Sequence, residues 1–337
     1  MMKIGIYGAG SLGTILGAYI SKAGIQIDLI NRNKAHVAAL NENGATVTGT
    51  VSFSTPVHAI TPEEMTGEYD LLFLMTKQTQ NQEIVSYLKA FLSPTGTLCT
   101  MQNGLPEPGI AEILGEARVV GCVVEWGATL SAPGVSELTS APDSLSFEIG
   151  RLNGSVDDAL YTVKEVLEHM CPVTIEENFM GVRWSKLLIN AAFSGVSSVL
   201  GETFGAAAKE KASRYCIQRV IKECIDVAKA AKIEIAPVQG KDIVKLLDYH
   251  GWLKEKISFF IIPIAIKKHA NLRASMLQDL EQGKKTEVDD ISGVVSAWGK
   301  RYGVATPYND KVIHIIHQIE AGKRTAAREN VALFSQL

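Results

Sequence analysis

Cysteine is scarce in this chain, and its five copies among 337 residues are odd in number, scattered and never arranged as a CxxC pair. That excludes a disulfide framework and gives no zinc-ligand spacing. Cys99, Cys122, Cys171, Cys216 and Cys224 read instead as reduced, mostly buried thiols. An excess of one charge sign is also lacking: 36 acidic side chains against 33 basic ones leave a net charge of −3. Nothing there draws the chain to nucleic acid or to an anionic membrane, and neither is expected as a partner. Long hydrophobic runs are absent too. The most apolar later stretch, 257–266, is about ten residues, holds Pro263 and has lysines on both sides, too short to span a bilayer. The opening MMKIGIYGAG passes directly into a strand-like run and a glycine turn, with no room for the regions of a signal peptide, so a cytoplasmic location is expected.

What is present describes a globular protein, 46% hydrophobic and 20% charged, in a chain too long for one ordinary core. Residues 3–7 form a short isoleucine-rich run, followed by Gly8-Ala9-Gly10-Ser11-Leu12-Gly13 and a helical pattern over 14–23. Gly24 ends that helix and 25–30 gives a second strand, completing a βαβ unit of about thirty residues. Residues 70–75, after a polar start at Asp70, form a continuous apolar run of the kind found in parallel strands buried on both faces, 97–101 repeats the pattern, and a helix is predicted over 80–91. The alternation predicts an α/β fold, an N-terminal Rossmann domain with a doubly wound parallel sheet. Over 119–150 shorter β-prone pieces, broken by Gly127, Pro133-Gly134 and Pro142, predict extra edge strands. The boundary is expected at 177, giving 1–177 as the dinucleotide domain and 178–337 as an all-helical C-terminal domain. Helices are expected there over 179–200, 211–232, 238–248, 272–280, 288–302 and 310–320. An apolar helical domain of this kind also suggests a homodimer.

A glycine-rich turn between a strand and a helix has a physical logic. Gly8 makes the tight turn, Gly10 lets backbone approach a pyrophosphate, Gly13 lets helix pack on strand, and the helix N-terminus favours the phosphate charge. At the end of the second strand, where an acidic residue would bind the ribose hydroxyls of NAD, the chain has Asn31-Arg32. A guanidinium suits a 2′-phosphate, so NADP(H) is the expected cofactor. Asp28 is the nearby carboxylate, but its mid-strand position reads as structural. Lys77 and Gln102-Asn103-Gly104 follow two further strands, at the carboxyl ends where open α/β sheets bind ligands. Solvated loop residues and plain turn chemistry are the bland alternatives.

In the mostly apolar segment 182–194, Lys186, Asn190 and Ser194 fall at i, i+4 and i+8 and share one helical face. A lysine is rarely placed against a core without a partner or a task, although snorkelling to the surface is the alternative. Ser275 and Asp279 share a face of a later helix, and Glu287 stands near the start of the next, where a simple first-turn acid is the alternative reading. His314, His317 and Glu320 share a spacing of three, which would open metal chemistry, but no further ligand is evident and no metal is expected.

Taken together, GAGSLG, Arg32, the Lys77 of MTKQTQ, Gln102-Asn103-Gly104, the RWSKLLIN run, SMLQDLEQGKKTEVD and the late YGVATP resemble the ketopantoate reductase family over nearly the whole chain. The resemblance implies that the loop from Gly8 through Ala9, Gly10, Ser11 and Leu12 to Gly13 holds NADP(H), with Arg32, Lys77 and Gln80 at the adenosine phosphate. It places Asn103 near both the nicotinamide ribose and the substrate, a small 2-oxo acid. Lys186 would be the general acid and Glu287 its catalytic partner, with Asn190, Ser194 and Ser275 against the substrate. The implied reaction reduces 2-dehydropantoate to pantoate for pantothenate and coenzyme A synthesis. Two positions depart from the family pattern: Ser194 stands where a second asparagine is usual, and Asn271 sits one place off the asparagine expected before the serine. The chain also carries an insertion around 252–269. The resemblance therefore points to ketone reduction more firmly than to one 2-oxo acid. A sister reductase of another 2-oxo acid or imine, and a non-catalytic NADPH-binding protein, are the alternatives.

Overall fold

The computed structural model describes residues 2–238 and 240–337. Two compact units emerge: 1–102 with 106–179, and 103–105 with 180–337.

The first unit is built on eight strands: β1 (Ile4–Tyr7), β2 (Ile27–Ile30), β5 (His58–Ile60), β6 (Tyr69–Leu74), β7 (Leu92–Thr100), β8 (Val119–Val124), β11 (Phe147–Gly150) and β12 (Val173–Ile175). Their order across the sheet is β12-β11-β8-β7-β6-β1-β2-β5. The run from β8 to β5 is parallel throughout, while β11 pairs antiparallel with β8. Side chains alternate across it as strand geometry requires. Ile4 and Ile6 of β1 and Leu71 and Phe73 of β6 face one core, shared with helices α1 (Ser11–Lys22), α2 (Lys34–Asn43) and α5 (Asp158–Leu167). Leu72 and Leu74 face the other, under α3 (Asn81–Lys89) and α4 (Glu107–Leu114). Helices on both faces make the sheet doubly wound, as expected.

A second sheet was not legible in the sequence. Strands β3 (Ala45–Gly49), β4 (Phe53–Thr55), β9 (Ala128–Ala132) and β10 (Val135–Leu138) assemble in the order β4-β3-β10-β9. Of the pieces expected as edge strands over 119–150, β8 and β11 join the main sheet, whereas β9 and β10 form a hairpin in this smaller one. All four of its strands touch α1, which is why α1 buries seven of its twelve residues. A helix covered on two sides needs apolar residues around most of its circumference.

The second unit is helical, around one core of buried aliphatic and aromatic residues. The expected 179–200 helix is α6 (Phe179–Ile189), a π-turn (Asn190–Gly195) and α7 (Val196–Leu200) in unbroken succession. Then come α8 (Phe204–Lys209), the long α9 (Lys211–Ala230), α10 (Ile243–Leu247), α11 (Trp252–Ala265), α12 (Ser275–Glu281), α13 (Val288–Tyr302) and α14 (Pro307–Glu320). The helix predicted over 238–248 shrinks to α10. Val238 and Lys241 instead close a bridge through Gly240 at φ +73, with Gln239 outside the described residues, and Asp242 then caps α10 by accepting from the Lys245 N–H at 2.8 Å. Among the described residues no helix is long and apolar enough to cross a membrane.

Candidate dinucleotide and catalytic sites

In the sheet unit the chain leaves β1 into a turn that only glycine adopts without strain. Gly8 has φ +100, and a Cβ there would sit 2.7 Å from the backbone N of Thr76. Gly8 and Ala9 both donate their N–H to the Ile30 carbonyl at 3.0 Å, pinning the loop to the end of β2. Gly13 is a packing glycine, since a Cβ would lie 2.9 Å from the Gly8 carbonyl and 3.0 Å from Ile6. Gly10 differs: a Cβ would meet only the Gly8 carbonyl, at 3.9 Å. Protein packing does not demand a glycine there, whereas the close approach of a ligand does. Helix α1 then starts at Ser11, beside the half-buried Leu12, with no side-chain cap and no acid in its first turn. Its free amides suit an anion. Both observations fit a pyrophosphate.

The Ala9 carbonyl is the loop's most heavily used acceptor. It receives the Asn31 amide at 2.8 Å, the Thr14 hydroxyl at 3.3 Å and His36 Nε2 at 2.9 Å. His36 is 1% exposed, and its Nδ1 accepts the Gly134 backbone N–H at 3.0 Å. Because Nδ1 accepts, the proton sits on Nε2, and the ring is neutral. Burial holds its pKa below the usual imidazole value, against the pull of the Ala9 carbonyl. Asn31 is thereby committed to the loop, its Oδ1 also accepting from the Asn33 N–H at 2.8 Å. Asp28 is committed as well, to His58 Nδ1 at 2.8 Å and the Tyr69 hydroxyl at 2.5 Å, so it has the structural place expected for it.

Exposed Arg32 reaches across to the loop after β6, its Nη1 donating to Gln80 Oε1 at 3.3 Å. The guanidinium and Lys77, three residues past β6, are borne by the same two strand ends. An open recess of about 570 Å³ lies over Gln78, Gln80 and Asn81. The loop is clamped from β7 by Gln102, which is 4% exposed: its Nε2 donates to the Thr76 carbonyl at 2.9 Å and Asn81 Oδ1 at 2.7 Å, while its Oε1 accepts from Asn81 Nδ2 and the Thr100 hydroxyl, both at 3.0 Å. Asn103, half-buried, groups with the helical unit rather than with the sheet, and Gly104 after it turns the chain at φ +76.

In the helical unit Lys186 lies one turn before the π-turn, half-buried among neighbours that are almost all enclosed. Asn190 opens that turn and Ser194, 7% exposed, nearly closes it. A π-turn is a widened helical turn that occurs often at functional sites. Here α12 and α13 both pack against it, as does α9. Ser275 is the first residue of α12, exposed, and Glu287 is the N-cap residue of α13, half-buried. The elements bearing Asn190, Ser194, Ser275 and Glu287 are thus assembled around one helical distortion. Beneath it Trp184 donates its indole N–H to the Cys224 carbonyl at 3.0 Å, and Ser185 donates to the Gly181 carbonyl at 3.0 Å, which fixes the roll of α6.

Residues 4–154 match the family profile described as ketopantoate reductase PanE/ApbA, and 178–320 match that of its C-terminal region. The chain belongs to the ketopantoate reductase family. A 2-dehydropantoate 2-reductase of Streptococcus pyogenes serotype M3 is 27% identical over 323 residues, 95% of this chain and 98% of the relative. One from Pyrococcus horikoshii is 28% identical over 313 residues, 91% and 94% of the two chains. A PanE/ApbA family ketopantoate reductase structure from Ralstonia eutropha has the same fold, at TM-score 0.81 and 22% identity over 95% of this chain and 99% of that one. So does a D-mandelate dehydrogenase solved with NADH and anilino(oxo)acetate, at TM-score 0.81 and 23% identity over the same shares. Membership makes the chain an oxidoreductase of pyridine nucleotides acting on CH–OH groups.

Two features of this chain escaped sequence reasoning. His36 lies in an ordinary helical pattern, and its partners are 27 and 98 positions away. Glu223, on α9, caps α14 from a distance, accepting the Tyr308 N–H at 2.8 Å, the Asn309 N–H at 2.9 Å and Asn309 Nδ2 at 2.8 Å. Burial pushes its carboxyl up to about 7 against those three donors. The late histidines are otherwise engaged. His317 lies 3.1 Å from Asp289 and His314 3.0 Å from Gln318, while Glu320 accepts from Thr286. Among the described residues no group of three or more His, Cys, Asp or Glu is placed to hold a metal ion. All five cysteines are buried and unbridged, as expected, and burial pushes the Cys171 and Cys216 thiols up to about 12.

Proposed function

We propose that this chain reduces 2-dehydropantoate to pantoate with NADPH, in the cytoplasm and as a homodimer, supplying pantothenate and coenzyme A synthesis. The observation that carries the reading is the half-buried Lys186 one turn before the π-turn, with Asn190, Ser194, Ser275 and Glu287 on the elements gathered there. Support from outside the site comes from the relatives named 2-dehydropantoate 2-reductase, which span more than nine tenths of the chain.

In this reading the glycine loop Gly8 to Gly13 holds the pyrophosphate through backbone amides, and Arg32, Lys77 and Gln80 take the 2′-phosphate. When bound, NADPH supplies a hydride from its nicotinamide C4. Lys186 gives a proton from Nζ to the ketone oxygen, and before transfer its charge favours the developing alkoxide. Hydride on carbon and proton on oxygen together complete the 2-hydroxy acid. Asn190 and Ser275 orient the substrate, Asn103 lies near it and near the nicotinamide ribose, and Glu287 accepts from the substrate hydroxyl or from Lys186. In the 1–177 and 178–337 division the first domain takes the dinucleotide, with Asn103, and the second supplies Lys186, Asn190, Ser275 and Glu287.

Ser194 favours one variation, a sister reductase for another 2-oxo acid, because a serine has one hydroxyl where an asparagine has an amide. NADPH oxidation with 2-dehydropantoate, 2-oxoisovalerate and phenylglyoxylate, and with NADH in parallel, separates the two. Fast turnover of 2-dehydropantoate that falls about 10³-fold in kcat in Lys186→Ala is expected, the size of a lost general acid and oxyanion charge. Preference for another 2-oxo acid would move the substrate assignment, and tight NADPH binding with no turnover on any would sink the catalytic reading.

A further inference from the structure

The chain hides its large apolar side chains with few exceptions, and the exceptions cluster. Among the described residues fifteen large hydrophobic side chains are exposed, and the four most exposed, Ile264 at 72%, Trp252 at 68%, Phe260 at 65% and Leu253 at 59%, all lie on α11 with Ile257. Leu253, Ile257, Phe260 and Ile264 follow the i, i+4, i+7, i+11 spacing of one helical stripe. The helix has no freedom to roll this stripe inward, because its other side is already anchored. Ser258 and Ile262 are buried, Gln218 Nε2 donates to the Glu255 carbonyl at 2.7 Å, and Arg219 pairs with Glu255 at 2.8 Å. Leu246, on the adjoining α10, is exposed as well.

We propose that this stripe is the face by which two copies of the chain pair, α11 against α11 across a two-fold axis. The inference rests on the homodimer reading above and adds where the contact lies. Size argues for it. The four side chains of the stripe and the adjoining Leu246 present on the order of 500 Å² of apolar surface, at the upper end of the largest patch on a monomeric protein. An isologous contact uses the same patch twice, and on the order of 1,000 Å² reaches what a specific interface needs. Shape argues for it too, since branched aliphatic residues and a phenylalanine at ridge spacing are what a facing helix of the same kind interlocks with. Lys254, Lys267 and Lys268 lie toward the two ends of the stripe, and Lys256, beside Ile257, is turned back over the Trp252 ring at 4.9 Å. A crossing inclined by about 50° and centred on Ile257 and Phe260 keeps those ends apart.

Sedimentation velocity on the full chain at micromolar concentration tests the idea, comparing the wild type with Phe260→Asp and Ile264→Asp. A wild-type dimer whose dissociation constant rises at least 100-fold in the variants, with unchanged circular dichroism and NADPH affinity, is expected. A second measurement does not depend on disrupting anything. Ile257→Cys should give a covalent dimer on mild oxidation, because all native cysteines are buried and the new thiol lies at the two-fold centre. Variants that remain dimeric, with no cross-link at 257, would overturn the α11 contact and leave the homodimer standing. A monomeric wild type would overturn the homodimer itself. Cosedimentation of such a monomer with phosphatidylglycerol vesicles, lost in Phe260→Asp, would reassign the stripe to an anionic membrane.

Discussion

The two units offer ligands different materials. In the sheet unit the groups that fit a dinucleotide are mostly backbone: the turn at Gly8, the open side of Gly10, the uncapped amides of α1 and a carbonyl at Ala9 fixed by three donors. In the helical unit they are side chains, carried by a helix that widens at Asn190–Gly195 and by two helices packed on it. The difference teaches how each fails. A backbone site is broken by adding an atom, because the glycines are there to leave room. A side-chain site is broken by removing one, because the helix remains when the group is gone.

The sharpest form of that contrast is Gly8→Ala. One methyl at φ +100, 2.7 Å from the Thr76 nitrogen, should cost about 3–4 kcal/mol of stability through strain and displaced backbone. Urea unfolding of the sheet unit and NADPH titration should both show the loss. A Gly8→Ala protein of normal stability and affinity would break the claim that this loop has no room to give. In the helical unit the matching deletion is Glu223→Ala. It leaves the Tyr308 and Asn309 amides at the start of α14 without their acceptor, and about 2–3 kcal/mol is expected. Thermal unfolding should record it, with NADPH affinity unchanged because the damage stays in the other unit.

Legibility in the sequence follows the same division. The glycine loop could be read because its geometry requires one residue type, and the type is visible. The helix that carries Lys186 could be read because helical period is visible. The π-turn that holds Asn190 and Ser194 could not, since nothing in NAAFSG separates a widened turn from an ordinary one. Nor could the small sheet be read, because β3 and β10 pair in parallel across about ninety positions and each is too short to show alternation. The stripe on α11 was visible as an apolar run, but its exposure was not: a buried strand, a core helix and a docking face have the same composition over ten residues.

Arg32→Ala sharpens the comparison differently, since it removes one of the few side chains the backbone site relies on. The guanidinium is exposed and bonded to Gln80, so solvent screening limits its worth. About a tenfold loss of NADPH affinity is expected, with NADH affinity unmoved. Equal losses for both cofactors would place Arg32 away from the 2′-phosphate.

The smallest effect concerns His36, where a titrating side chain supports the backbone site. Its folded pKa is lowered, because burial disfavours the charged ring and because Nδ1 must stay bare to accept from Gly134. In the unfolded chain the ring takes up a proton near its ordinary value, about 6.5. Between those two values the unfolded state binds more protons, so the stabilisation is complete above about 6.5 and declines as pH falls below it. Between pH 7.5 and 5 the expected loss is read as a lower melting temperature and a weaker hold on NADPH. His36→Gln supplies an amide N–H for Ala9 and an oxygen for Gly134 without titrating in this range. It should therefore flatten this part of the pH profile while keeping most of the stability at neutral pH. A variant with the wild-type slope would trace the acid sensitivity to other groups, and the loop's support would then owe nothing to the neutrality of this ring.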